Sequence, residues 1–258
     1  MIERARPWLV LAAVLATLAV NGLANALPLN GVTTGEVSDR FDSLFVPAGY
    51  VFSIWGLIYL GLIGFATYQA LPAQRDNPRL RATFAPFLLA STANIAWIFL
   101  WHYQQFLWTL VAMVTLLVSL IVIYSRLQQG KGYSSRAEFW FARLPFSIYL
   151  GWVSIATIAN TADVISLTRW SGFGLSDVFW AVAMLIIGLA LAVLMVWQHR
   201  DGAFALVFLW AYIGIGVAQQ DTAAVAIAAF IGAALLAMLA VAAPFAGRRN
   251  GKPTRLFA

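Results

Sequence analysis

Eight long apolar runs, set apart by short polar stretches, recur along the chain. Their approximate limits are 7–27, 48–71, 82–101, 104–125, 139–161, 175–198, 203–219 and 222–245. A helix rises about 1.5 Å per residue, and roughly 20 mostly apolar residues cross the ~30 Å hydrocarbon core of a bilayer. The pattern therefore predicts eight transmembrane helices. The third and fourth runs meet around His102, and the seventh and eighth at Gln220 and Asp221. Links this short predict helical hairpins.

Inside three of these runs the polar and aromatic residues keep a helical register. Phe52, Trp55 and Tyr59 stand at i, i+3 and i+7, and Asn94, Trp97 and Trp101 repeat that spacing. Trp152, Ala156 and Asn160 follow at i, i+4 and i+8. Each trio falls on one helix face. Spanning a membrane requires only apolar side chains, so Trp and Asn stacked on one side point to a lined cavity or a specific helix seam. A buried amide in hydrocarbon is costly without a partner. Asn94 and Asn160 are therefore expected to bond across helices or to a ligand. For Trp97 and Trp152, lining a ligand and tight packing both fit the spacing.

Charge orients the predicted spans. Of the 16 Lys and Arg, only Arg40 and Arg169 fall in alternate loops on one side. That side also holds Glu36, Asp39, Asp42, Asp163, Asp177 and Asp221, six of the ten acids. The remaining basic residues, from Arg4 to Arg255, fall on the other. Basic loops mark the cytoplasmic face, so the reading is an even number of spans with both termini cytoplasmic, in a bacterial cytoplasmic membrane. Arg4, Arg6, the first apolar run and Ala24-Asn25-Ala26 also fit a cleavable leader. The run is long enough to span and is read as the first helix.

Composition narrows the chemistry. The chain is 62% hydrophobic and 10% charged, with mean hydropathy +0.83, whereas soluble domains carry about 25% charged residues. It is an all-α polytopic membrane bundle. The net charge of +6 reflects topology rather than nucleic-acid binding. The absence of cysteine excludes disulfides and thiolate chemistry. With His102 and His199 the only histidines, a multi-histidine metal site is not expected, and His102 reads as structural. No nucleophile–base pair, phosphate loop or metal motif occurs, and the acids are placed in loops and at helix ends, so the chain reads as a non-enzyme. Ala224, Ala228 and Gly232, four residues apart, allow close helix approach, either internally or at a homodimer or membrane-complex seam.

The string Pro47-Ala48-Gly49-Tyr50-Val51-Phe52-Ser53-Ile54-Trp55-Gly56-Leu57-Ile58-Tyr59 resembles the second helix of the TspO/MBR family, the translocator or tryptophan-rich sensory proteins. Ala48 replaces a proline of that pattern, Tyr50 a Trp and Gly56 a Thr. The string is one residue shorter between Phe52 and Trp55, which can rotate Trp55 relative to the pattern. Asn94-Ile95-Ala96-Trp97 resembles the family's third helix, and Leu144 to Asn160 its fifth, keeping the Trp152 to Asn160 interval. The resemblance covers about residues 7–161.

It implies a TspO-like five-helix core at 1–161, followed by a three-helix extension with a basic tail at 162–258. It also implies a receptor or carrier for a hydrophobic planar ligand, a porphyrin-type tetrapyrrole or a sterol-like molecule. Trp97, Trp152 and Ala156 would line the pocket, with Trp55 and Asn94 near it; Asn160 would tie helices together or face the ligand. Phe52, Tyr59 and Trp101 complete the candidate set from the aromatic faces. No cofactor is required; a bound haem-type tetrapyrrole or lipid fits the resemblance. Two other readings remain open: an accessory membrane subunit of a larger, pigment-containing complex, and a membrane enzyme acting on an isoprenoid or porphyrin.

Overall fold

The computed structural model describes residues 2–41, 43–129, 135–168 and 171–245. Asp42, Lys131, Arg169 and the basic tail at 246–258, all used above to orient the chain, lie outside the described residues, as does the side chain of Arg4.

The eight apolar runs form eight helices: α1 (Ile2–Ala26), α2 (Ile54–Ala70), α3 (Phe84–His102), α4 (Phe106–Gln128), α5 (Leu144–Ser166), α6 (Asp177–His199), α7 (Gly202–Ala218) and α8 (Ala223–Ala242). Among the described residues seven helical segments are long and apolar enough to cross a membrane, and α7, at 17 residues, is a shorter apolar helix. Its rise is about 25 Å. Local chemistry sets several ends. Ser176 accepts a hydrogen bond from Phe179 N at the start of α6, and Asp201 accepts one from Phe204 N at the start of α7. Such caps occupy backbone donors that a helix leaves unpaired. Arg200, at φ 56°, closes α6 in the left-handed region.

Helices α1 to α5 close a ring through the contacts α1–α3, α3–α4, α4–α5, α5–α2 and α2–α1. Helix α7 packs on the outside of α5, α6 packs on α7 and α8, and α7 and α8 form the predicted hairpin. Gly151 permits the α5–α7 contact: a Cβ there would stand 3.1 Å from Val207 Cβ. Gly232, from the small-residue stripe, faces inward, where an added Cβ would lie 2.7 Å from the Tyr212 ring.

The fifth span departs most from its predicted limits. Helical structure begins at Arg136 and runs through a wide π-type turn at Phe139–Arg143 into α5. Pro145 follows that turn, and proline removes a backbone donor from the regular ladder. At the other end α5 continues past 161 to Ser166. Asp163, placed by the sequence in a loop, is therefore a helical residue only 3% exposed.

Candidate functional site

The end of the five-helix ring that carries the 28–47 segment, here called the loop end, encloses a small cavity of about 70 Å³. Eight of the nine candidate residues line it: Phe52, Trp55, Asn94, Trp97, Trp101, Trp152, Ala156 and Asn160. Tyr59 does not. It lies one turn farther along α2 and stacks behind Trp55, with ring centroids 5.6 Å apart. Trp55 reaches the cavity despite the shortened string. Residues Gly49–Ser53 form a 3₁₀ helix that passes into α2 at Ile54. With three residues per turn, positions i and i+3 eclipse, which keeps Phe52 and Trp55 on one side.

The aromatic rings form two connected walls. Phe52 and Trp55 meet Trp152 edge to face at 5.6 and 6.3 Å. Trp97 stacks on Trp101 at 5.1 Å, and Phe41 stacks on the same Trp101 at 5.6 Å. Such contacts each add about 0.5–1.5 kcal/mol beyond burial. Met113 and Leu116 of α4 close the apolar side.

Both asparagines bond across helices. Asn94 Nδ2 donates to Tyr149 Oη at 3.2 Å, and Asn94 Oδ1 accepts from Asn21 Nδ2 at 2.7 Å, joining α3, α5 and α1. Asn160 Oδ1 accepts from Trp97 Nε1 at 3.2 Å, while its Nδ2 donates to Thr109 Oγ1 at 3.0 Å. Asn160 thus fixes the indole plane of Trp97 and ties α5 to α3 and α4.

Two polar groups in the wall differ. Trp152 is 2% exposed, and its Nε1 has no hydrogen-bond partner among the described residues. Asp163 lies beside Ser43, and its Oδ1 is likewise buried without a hydrogen-bond partner among the described residues. Leaving such a group unsatisfied costs about 1–3 kcal/mol. An indole N–H and a carboxylate oxygen therefore remain uncommitted in the wall of a largely apolar, aromatic-rich cavity. Among the described residues no group of three His, Asp or Glu is placed to hold a metal ion.

The cover of the cavity is pinned rather than loose. His102 is fully buried and meets Thr34 Oγ1 at 3.0 Å and the Leu29 carbonyl at 3.2 Å. Trp101 Nε1 donates to Thr34 O at 3.1 Å. Pro47 and Val46 line the cavity, and helix α7 holds the chain beside them. Ala48 N donates to Gly214 O at 3.1 Å, and Trp210 Nε1 donates to Val51 O at 3.0 Å. A Cβ on Gly214 would stand 2.1 Å from Val51 Cγ2, so only glycine admits this approach. The C-terminal helices thereby support the wall of a cavity they do not line.

Sequence reasoning passed over Asn21, Thr109 and Tyr149, which complete the polar clamps, and Asp163 in the wall. Asn21 carried the same signal as Asn94, an amide deep in an apolar run. Thr109 and Tyr149 carried none, because hydroxyls are common in membrane helices.

A family model described as TSPO-like protein matches residues 7–242. The match runs through α6, α7 and α8 as well as the five-helix ring. Neither the curated proteins nor the solved structures yield a match.

Proposed function

This chain belongs to the TSPO-like protein family and is an integral membrane protein, and on that premise we propose that it is a receptor or carrier for a hydrophobic planar ligand of the porphyrin type, held in the aromatic cavity of the α1–α5 ring. The observation that carries this reading is the pairing of aromatic walls with two uncommitted polar groups, Trp152 Nε1 and Asp163 Oδ1. Flat indole faces suit a planar ring system. The indole N–H suits an acidic edge of the ligand, and the carboxylate oxygen suits a ring N–H.

Ligand sites usually hold about 300–1,000 Å³, far more than the ~70 Å³ here. Binding therefore requires the half-buried Trp55 and Trp97 side chains to swing outward while the buried Trp152 stays in place. Trp97 must release Asn160 to do so, which makes Asn160 both clamp and latch. In this reading the basic end faces the cytoplasm.

Titration of protoporphyrin into the detergent-purified protein should quench Trp fluorescence saturably. Trp97→Ala and Trp152→Ala should each weaken the apparent affinity about tenfold. Trp140→Ala, on the outside of the bundle at 60% exposure, should leave it unchanged. Unaltered affinity in both cavity variants overturns the assignment.

A further inference from the structure

A second hollow, of about 800 Å³, opens between α5 and α6 at the loop end. It lies on the opposite face of α5 from the aromatic cavity. Thr157, Ile158, Thr161 and Ile165 line the hollow, whereas Ala156, Ala159, Asn160 and Asp163 line the cavity. At 100° per residue these two sets diverge around the helix. The hollow exists because α6 packs on α7 and α8 and at most grazes α5.

Its depth and charge limit what fits. On α6 the lining runs from Asp177 to Ile187, a rise of about 15 Å. That is half of the ~30 Å hydrocarbon core, the depth of one leaflet. A transmembrane helix from a partner would need a groove through both leaflets. The walls combine the apolar Ile158, Ile165, Met184 and Ile187 with the hydroxyl residues Thr157, Thr161, Ser166 and Thr168. The Thr157 and Thr161 hydroxyls already donate to Val153 O and Thr157 O at 2.7 Å, so they demand no polar guest. At the mouth stand Arg40 and Asp177, both exposed. Neither makes a close ion pair among the described residues, although the Glu36 carboxylate is near enough to feel the Arg40 charge.

We infer that this hollow binds one phospholipid of that leaflet, a zwitterionic one with a primary ammonium beside its phosphate. An acyl chain lies between α5 and α6, the phosphate meets the Arg40 guanidinium, and the ammonium meets the Asp177 carboxylate. Guanidinium–phosphate contacts are charge-assisted and directional. A purely anionic headgroup would set its charge against Asp177. The hollow shares no lining residue with the aromatic cavity.

The test is native mass spectrometry of the full chain released from nanodiscs with equal phosphatidylethanolamine, phosphatidylcholine and phosphatidylglycerol. One phosphatidylethanolamine should remain per chain. Ile187→Trp, a filling change at a 55% exposed position, should remove it. Arg40→Ala should lower retention about tenfold, and Asp177→Asn should erase the preference over phosphatidylglycerol. Protoporphyrin quenching should be unchanged in all three variants, so failure of the porphyrin reading would register separately. Retention that survives both Ile187→Trp and Arg40→Ala overturns the inference. Equal retention of the three lipids does so too, as does a second copy of the chain cross-linked through position 187.

Discussion

At the basic end of α5, Ser147 Oγ donates to Asp201 at 2.7 Å, and Tyr124 Oη donates to the same carboxylate at 2.7 Å. Asp201 also caps α7 through Phe204 N at 3.0 Å. Nearby, Glu138 pairs with Arg79 at 2.7 Å and accepts from Asn77 at 3.4 Å. Farther along the same helix, Trp152 Nε1 at its middle and Asp163 Oδ1 at its loop end are buried without hydrogen-bond partners among the described residues. One end spends its carboxylates on joining helices. The other keeps polar atoms uncommitted beside aromatic rings. Arg143 Nε, at the basic end, also has no hydrogen-bond partner among the described residues, but Arg143 lines neither the aromatic cavity nor the hollow between α5 and α6. Polar groups in a membrane core are costly, and the two left unpaired in the cavity wall are the groups the proposed ligand would satisfy.

Four changes would break or sharpen that contrast. The largest effect belongs to Asp201→Ala, which removes the acceptor for Tyr124, Ser147 and Phe204 N. It should cost about 3–5 kcal/mol, seen as a large fall in the thermal midpoint in detergent. Porphyrin quenching below that midpoint should persist. If binding is lost before stability is, the two ends are not separate.

Trp152→Phe is the converse test. It deletes a buried N–H with no hydrogen-bond partner among the described residues, so the thermal midpoint should hold or rise by the equivalent of about 1 kcal/mol. Porphyrin affinity should still fall. A loss of stability with affinity intact would return Trp152 to the packing core.

Asn160→Leu removes the bonds to Trp97 Nε1 and Thr109 Oγ1. Interhelical hydrogen bonds in membranes are worth about 0.6–2 kcal/mol each, so a modest destabilisation is expected. It should come with faster porphyrin association in stopped-flow quenching, because the latch on Trp97 is gone.

The smallest effect concerns the cover. Glu36 Oε2 accepts from Thr33 N at 2.6 Å and from Thr33 Oγ1 at 2.9 Å, closing a capping box on the turn Thr34–Ser38. The backbone hydrogen bond, then the hydroxyl, holds its carboxyl below the ordinary value of 4.5. A depressed folded value means the stabilisation is fully present above about pH 4.5. It is lost as the pH falls through the lower folded value. Amide exchange at 34–39 should quicken over that acid window in the native chain and be insensitive to it in Glu36→Gln, while α5 stays protected in both.

Much of this architecture was legible because hydropathy speaks directly to membrane burial. All eight runs became helices, and three spacings read at helical period placed eight side chains around one cavity. Tyr59 shows the limit of that method. It shares the face of Trp55, but a turn of rise carries it behind the cavity rather than into its wall. Asp163 shows another. A carboxylate after an apolar run reads as loop, and the extra turn of α5 became visible only with Ser43 and the aromatic wall packed around it. The π-type turn before Pro145 was equally silent in the sequence.

The sequence by itself determined the membrane class, the eight helices and the faces that carry Trp and Asn, because periodicity and apolar length are local properties of the chain. Tertiary structure decided which partners those faces meet. It closed α1 to α5 into a ring, brought Asn21 to Asn94 and Thr109 to Asn160, and set Gly214 of α7 against Val51 at the cavity's edge. It also left Trp152 Nε1 and Asp163 Oδ1 without partners among the described residues. Hydrogen bonding and steric fit between distant segments depend on where helices cross, and no local pattern encodes a crossing.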